Sequence, residues 1–454
     1  VTEQSITPAQ QDYPAPAYGW YVVGILTLAY MVSFLDRQIL NLLVEPIKAD
    51  IGVTDFQMSL LMGLAFALFY TVLGIPIGRL ADRRSRRGII AAGITLWCLM
   101  TAAFGLARNY FWMFLARIGV GVGEATLSPS ALSLISDYFP REKRGLPLSV
   151  YNMGVSLGAG VAFLFGGFII QYAFAQPPVN APIVGELKAW QTVFIVVGLP
   201  GLLIAALMIT VKEPSRKDTL KTADGAAAVI PIADVAKFLG ERWRTYGSHF
   251  LGMSVVTILG YVYFSWIPTC FIRTWGWEIS QISYAYGIIM LIFGPLGVTL
   301  GGLLTDRLYN RGYKDAHMRV VLFLGAGLMV PFGVLVPLMP TPEWAVALLI
   351  PFSIGGAAAT AAGGAALMMI TPNQMRGQAS ALYYFVINLF GLTIGPSAVA
   401  AITDFVYGDD AALRYSIAWV CGVAGVIAIG FLVYNLKQFA KSLEEAEAIA
   451  ASAN

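Results

Sequence analysis

Of 454 residues, 57% are apolar and only 12% charged, and the mean hydropathy is +0.70. A soluble chain carries roughly 25% charged residues, so this one is solvated mainly by lipid, which excludes a water-soluble enzyme and a nucleic-acid-binding module. The net charge of +3 says little, and the three scattered cysteines, Cys98, Cys270 and Cys421, argue against a disulfide framework or a metal cluster.

The chain opens on a polar, proline-bearing stretch, "VTEQSITPAQQDYPAPAYG", with neither the n-region nor the cleavage site of a signal peptide, so the first span is expected to be retained. Apolar blocks then predict twelve membrane helices, at 20–43, 56–77, 88–107, 111–139, 147–172, 191–211, 248–273, 280–304, 318–339, 343–370, 375–403 and 413–440. Span one is interrupted by "SFLDRQ" (Ser33–Gln38), which sets Asp36 and Arg37 side by side inside the membrane. Each charge there costs at least about 2.5–3.5 kcal/mol, so the pair needs a reason. Span four carries two more, Arg117 and Glu124. They are two helical turns apart, about 10 Å along the axis, too far for direct contact, so each needs a partner on another helix. In span five "GVSLGAG" (Gly154–Gly160) permits close helix approach, and in span eleven Gly395 and Pro396 predict a kink. The tail "KSLEEAEAIAASAN" reads as a helix that leaves the membrane and frays.

Positive charge collects in alternate connections: Arg79, Arg83, Arg84, Arg86 and Arg87; Arg141, Lys143 and Arg144; the 212–247 segment; and Arg307, Arg311, Lys314 and Arg319. About 22 of the 29 Lys and Arg fall on that side and about 5 on the other, so the positive-inside rule places both termini in the cytoplasm. "GRLADR" (Gly78–Arg83) recurs as "GLLTDR" (Gly302–Arg307), and "FPREKRG" (Phe139–Gly145) more loosely as "TPNQMRG" (Thr371–Gly377), each between corresponding spans. The expected fold is therefore all-α and integral to the membrane, with two pseudo-symmetric six-helix bundles. The division runs 1–19 (cytoplasmic segment), 20–211 (first bundle), 212–247 (cytoplasmic linker), 248–440 (second bundle) and 441–454 (cytoplasmic tail).

"GRLADRRSRRGII" resembles the signature loop of the major facilitator superfamily, with Ser85 where that pattern usually has glycine, and "RIGVGVGEA" (Arg117–Ala125) resembles its fourth-helix motif. Within the superfamily, "FLDR" (Phe34–Arg37) and "RIGVGVGEATLS" (Arg117–Ser128) are most similar to the Spinster family, associated with sphingolipid and lysolipid export. Proton-coupled symporters of sugar acids and organic anions also carry an Asp-Arg in the first helix and a Glu-Ala in the fourth. The resemblance implies a secondary transporter working by alternating access as a monomer, in a bacterial inner membrane. It also implies that Gly78, Asp82, Arg83 and Arg86 form an inner gate, with Asp82 closing against the start of helix eleven.

Asp36, Arg37, Arg117 and Glu124 form a net-neutral intramembrane cluster, read as a proton-coupling site. With both termini inside, Asp36 and Arg117 fall at similar depth, so an Asp36–Arg117 pair is expected, with Arg37–Glu124 as the alternative. In the second half, Tyr263, Tyr383, Tyr384 and Asn388 are candidates for a substrate cavity suited to an amphipathic, lipid-like solute. No metal or cofactor motif and no Gly-x-x-x-x-Gly-Lys loop is present, so energy is expected from a proton gradient. "GVSLG" matches a nucleophile pattern only by accident, since it lies within an apolar helix rather than on a strand-to-helix turn.

Overall fold

The computed structural model describes residues 13–181, 185–216, 231–372 and 374–452. Among the described residues, twelve helices are long and apolar enough to cross a membrane: α1 (Pro16–Leu42), α2 (Asp55–Gly74), α3 (Arg86–Leu106), α4 (Tyr110–Tyr138), α5 (Gly145–Phe174), α6 (Ala189–Thr210), α7 (Trp243–Trp275), α8 (Ile279–Asn310), α9 (Ala316–Leu338), α10 (Pro342–Ile370), α11 (Arg376–Tyr407) and α12 (Asp410–Glu447). Helices are the expected solution, because lipid offers no partner for an unpaired backbone amide. An even number of spans brings the two ends of the chain to one face, the terminal face, opposite a far face.

Local features of three kinds were not legible as helical blocks. The α5–α6 connection forms an antiparallel hairpin, β1 (Val179–Ala181) with β2 (Gly185–Leu187), and Gly185 takes φ +83° at its turn. A short helix, Val44–Ile51, follows α1 and ends on left-handed Gly52, and a second, Ile232–Glu241, lies in the α6–α7 linker. The helical body of α2 breaks at Gly63 and that of α4 at Ala125–Thr126, directly after Glu124. The kink expected at Pro396 is not a break. Helix α11 runs through it, and its Pro396 carbonyl accepts a hydrogen bond from Trp266 Nε1 at 2.9 Å before wide turns at Ile402–Tyr407. The last helix stays helical to Ser452, where fraying is expected, and on the terminal face Lys314 bridges to its Glu447 at 2.5 Å.

Within the first half α1 packs on α5, and α3 on α4 and α6; within the second, α7 packs on α12 and α11, and α8 on α10. The halves meet chiefly along two seams, α5 with α8 and α2 with α11, with a smaller contact between α1 and α7. The first is a glycine zipper. A Cβ on Gly160 would lie 3.0 Å from the Gly287 carbonyl oxygen, and one on Gly287 would lie 2.9 Å from that of Gly160. On the opposite side of α5, Gly158 lets α1 approach, with Met31 Cα 3.2 Å from where its Cβ would stand. The close approach expected of "GVSLGAG" is therefore present on two faces of one helix.

Candidate functional site

Ser33 and Arg37 lie one helical turn apart on α1 and reach the same carboxylate on α4. Glu124 Oε2 accepts from Ser33 Oγ at 2.7 Å and from Arg37 Nε at 2.5 Å, while Arg37 Nη2 stands 2.5 Å away. Asp36, one position before Arg37, points elsewhere, as the 100° step of a helix requires. It is fully buried, and neither carboxylate oxygen has a hydrogen-bond partner among the described residues. The hydroxyl of Thr101 on α3 faces it without forming a hydrogen bond.

Arg117 does not grip the Asp36 side chain. Its guanidinium donates to three main-chain carbonyls, from Nε to Leu61 at 3.2 Å, from Nη1 to Asp36 at 3.3 Å and from Nη2 to Arg37 at 3.5 Å. The Asp36–Arg117 pair expected from depth is therefore replaced by Arg37–Glu124. Glu124 lies where its helical segment ends, and that turn presents its carboxylate to α1. Both arginines rest on aromatic faces of α2: Arg37 is 4.7 Å from the Phe66 ring and 4.9 Å from Tyr70, and Arg117 is 5.2 Å from Phe66. Such contacts are worth about 2 kcal/mol or more once desolvated. Of the paired side chains, Glu124 is 0% exposed and Arg37 15%, so Arg37 is the member of the pair that keeps some accessible surface.

Phenols surround it. Tyr30, Tyr70 and Tyr261 all lie within electrostatic reach of Arg37, and Tyr30 stacks on Tyr151 at 5.0 Å. Sequence reading passed over Ser33, Phe66, Tyr30 and Tyr70. The signal present was the four-residue spacing of Ser33 to Arg37 and of Phe66 to Tyr70, which puts each pair on one helix face. From the second half, Tyr261 donates to Asn388 Oδ1 at 3.0 Å, and Asn388 Nδ2 donates to the Tyr384 carbonyl at 2.8 Å. Tyr384 is partly exposed, whereas Tyr383 is buried and stacks on His249 at 5.3 Å. Tyr263 does not join this group. Its hydroxyl donates to the carbonyls of Phe332 and Gly333, and its ring lies 3.6 Å from Phe352, inside the packing of the second half.

At the terminal face, Arg86 is buried and serves the first half. It pairs with Asp137 at the end of α4 and with Glu213 after α6 at 2.8 Å, and its Nη1 donates to Ser133 Oγ at 2.9 Å. Burial pushes the Glu213 carboxyl up, but hydrogen bonds from Arg86, the Arg87 amide and Ser85 outweigh it and hold the group below its ordinary value of 4.5. Gly78 faces Pro129 of α4, where an added Cβ would stand 3.9 Å from that ring, and Arg83 is exposed. The side chain of Asp82 lies outside the described residues.

The family model of the Major Facilitator Superfamily matches residues 26–396. The chain is 27% identical over 442 residues to an MFS-type efflux pump of Mycolicibacterium smegmatis, covering 96% of each protein. It is 26% identical over 412 residues to a hexuronate transporter of Escherichia coli, covering 84% of this chain and 90% of that one. Among solved structures it is similar to a bacterial homologue of the human lysosomal transporter Spinster in an inward-facing, unoccupied conformation, with a TM-score of 0.77, 26% identity, and 95% and 98% of the two chains covered. Twelve spans in two halves, a buried charge cluster between α1 and α4, and a family match over most of the chain lead to one conclusion: this protein belongs to the Major Facilitator Superfamily of secondary transporters, which work by alternating access.

Proposed function

We propose that this transporter couples proton movement to the passage of an amphipathic, lipid-like solute of the sphingolipid or lysolipid type, with Asp36 as the proton carrier. One observation carries the reading: among the described residues the fully buried Asp36 has no partner for either carboxylate oxygen, while Arg117 beside it gives its hydrogen bonds to main-chain carbonyls. An ionised carboxylate left so would be uncompensated, so this arrangement suits the protonated acid. Once the proton leaves, the nearest response is for Arg117 to turn from the carbonyls to Asp36. Exchange between these two arrangements is a proton-dependent rearrangement at the junction of α1 and α4. Arg37 links it to the solute. An anionic headgroup entering between the halves competes with Glu124 for the partly accessible Arg37 guanidinium, and apolar and aromatic surface from Phe34 and Tyr261 receives the rest. Tyr384 and Asn388 line the opposite wall in this reading, and Tyr383 supports Tyr384 from behind at 5.1 Å.

The similarity to a bacterial Spinster homologue supports the lipid-like solute. Similarity to a hexuronate transporter favours a second reading, a proton-coupled symporter of sugar acids, for which Arg37 would serve equally. We place both chain ends in the cytoplasm of a bacterium, supported by the arginine-rich connections of the terminal face and by a bacterial relative aligned along nearly the whole chain. Gly78, Asp82, Arg83 and Arg86 then belong to the inner gate, with Arg86 fixing the loop to α4 and α6.

The test is uptake into proteoliposomes under an imposed pH gradient, with a lysosphingolipid and a hexuronate assayed in parallel. Gradient-dependent movement of the lysosphingolipid supports the first reading. Movement of the hexuronate alone transfers the protein to the second, and movement of neither overturns both.

A further inference from the structure

Six charged side chains from both halves converge on the far face. The first half supplies Glu45 and Lys48 from the short helix Val44–Ile51 and Asp55 from the start of α2. The second supplies Arg273 from the last turn of α7, Asp404 near the end of α11, and Asp410 from the start of α12. Arg273 stands at the centre. Its Nη1 and Nη2 hold Asp55 Oδ2 and Oδ1 at 2.6 and 2.7 Å, a two-pronged pair, while Nε donates to Glu45 Oε1 at 2.8 Å. Lys48 Nζ reaches Asp55 at 2.6 Å and Asp410 at 2.7 Å, and Asp404 Oδ2 accepts from the Phe56 amide at 2.7 Å. Every one of these links except Lys48–Asp55 joins one half to the other.

Just inside the ionic layer the seam is tight. Ser59 Oγ donates to Ser397 Oγ at 3.3 Å, Phe56 packs on Phe405 at 5.4 Å, and Gly63 meets the Leu392 carbonyl so closely that an added Cβ would stand 2.1 Å from its oxygen. The Asp55 side chain is 0% exposed and that of Arg273 is 7%. A pair this withdrawn adds little net stability against hydration of its members, which makes it a reversible tie rather than a permanent one. Its composition adds a second property. Four carboxylates face two cations, and carboxylate oxygens of Asp55, Asp404 and Asp410 lie within 4.8 Å of one another across the seam. Arg273 thus holds together two acidic surfaces that repel each other without it.

We infer that this cluster is the far-face gate of the transport cycle, with Arg273 as its keystone, and that it breaks and reforms once per turnover. The inference needs only alternating access and is independent of the solute and of the proton role of Asp36. The test is distance measurement between spin labels in the full chain in lipid nanodiscs. One pair, at Thr54 and Tyr407, spans the far face; the other, at Arg84 and Arg311, spans the terminal face. In Arg273→Gln the far-face pair should lengthen and the terminal-face pair shorten, with the far-open population rising about ten-fold or more. Adding Asp55→Asn to Arg273→Gln removes one repelling charge and should recover part of the closed population. Loss of fold would instead broaden both pairs without shortening either. In that event Lys48→Gln, which removes only the outer cation, carries the test and should shift the distances in the same direction by less. Unchanged distances in the folded variants, or a double variant as open as Arg273→Gln alone, would overturn the gate.

Discussion

Glu124 answers Arg37, while among the described residues neither Arg117 nor Asp36 has a direct ion-pair partner, and this imbalance makes the cluster informative. Removing either member of the Arg37–Glu124 pair leaves the other buried without compensation, at a cost of about 3–5 kcal/mol. Arg37→Met combined with Glu124→Gln should therefore destabilise the protein less than either single change, measured by unfolding in detergent; additive losses would contradict the pairing. Glu213 gives a pH prediction. Because its folded carboxyl sits below 4.5, its contribution is fully present above that value and is lost as pH falls beneath it. Melting temperature should accordingly drop on acidification below about pH 4.5, and Glu213→Gln should flatten that drop. The four buried charges were legible in the sequence because lipid makes any intramembrane charge conspicuous. Their pairing was not. Depth judged from span ends is good only to a few residues, and the turn after Glu124 that aims its carboxylate leaves no mark in an apolar run. Tyr263 shows the same limit: an aromatic inside a span reads alike whether it faces the cleft or the packing of its own half.

Among the elements, glycine decides where the halves can touch. At Gly63 any side chain collides with a main-chain oxygen, which cannot move aside as a side chain can. Gly63→Ala should prevent the far seam from closing and raise the reactivity of a cysteine at Ser397 toward a maleimide added from that side. At the other seam, Gly287→Leu should cost about 1–3 kcal/mol by forcing α5 from α8, read as a lower melting temperature. Glycine-rich approach by α5 was legible from "GVSLGAG", since small residues are what close helices need. The break at Gly63, the hairpin and the linker helix were not, because each depends on what packs against it. The run through Pro396 is similar: its missing N–H frees the Leu392 carbonyl one turn back, the oxygen that Gly63 approaches, while Trp266 of α7 ties down the Pro396 carbonyl.

For the molecule as a whole, twelve spans and the repeat between halves followed from apolar block length and two recurring loop motifs, and the helices observed agree with them. The two halves nevertheless differ in what they carry. Among the described residues the buried ion pair of the membrane interior joins α1 and α4 of the first half, while the second half carries the Tyr261–Asn388 hydrogen bond. The central claim is that Asp36 carries the coupled proton, and it separates driving from moving. The measurement that tests it most directly compares, in proteoliposomes, solute accumulation driven by a pH gradient with solute counterflow at equal pH, for wild type and Asp36→Asn. The account predicts that the variant, locked in the neutral form, keeps counterflow within about three-fold of wild type but loses gradient-driven accumulation by about ten-fold or more. Accumulation in Asp36→Asn equal to wild type would contradict it.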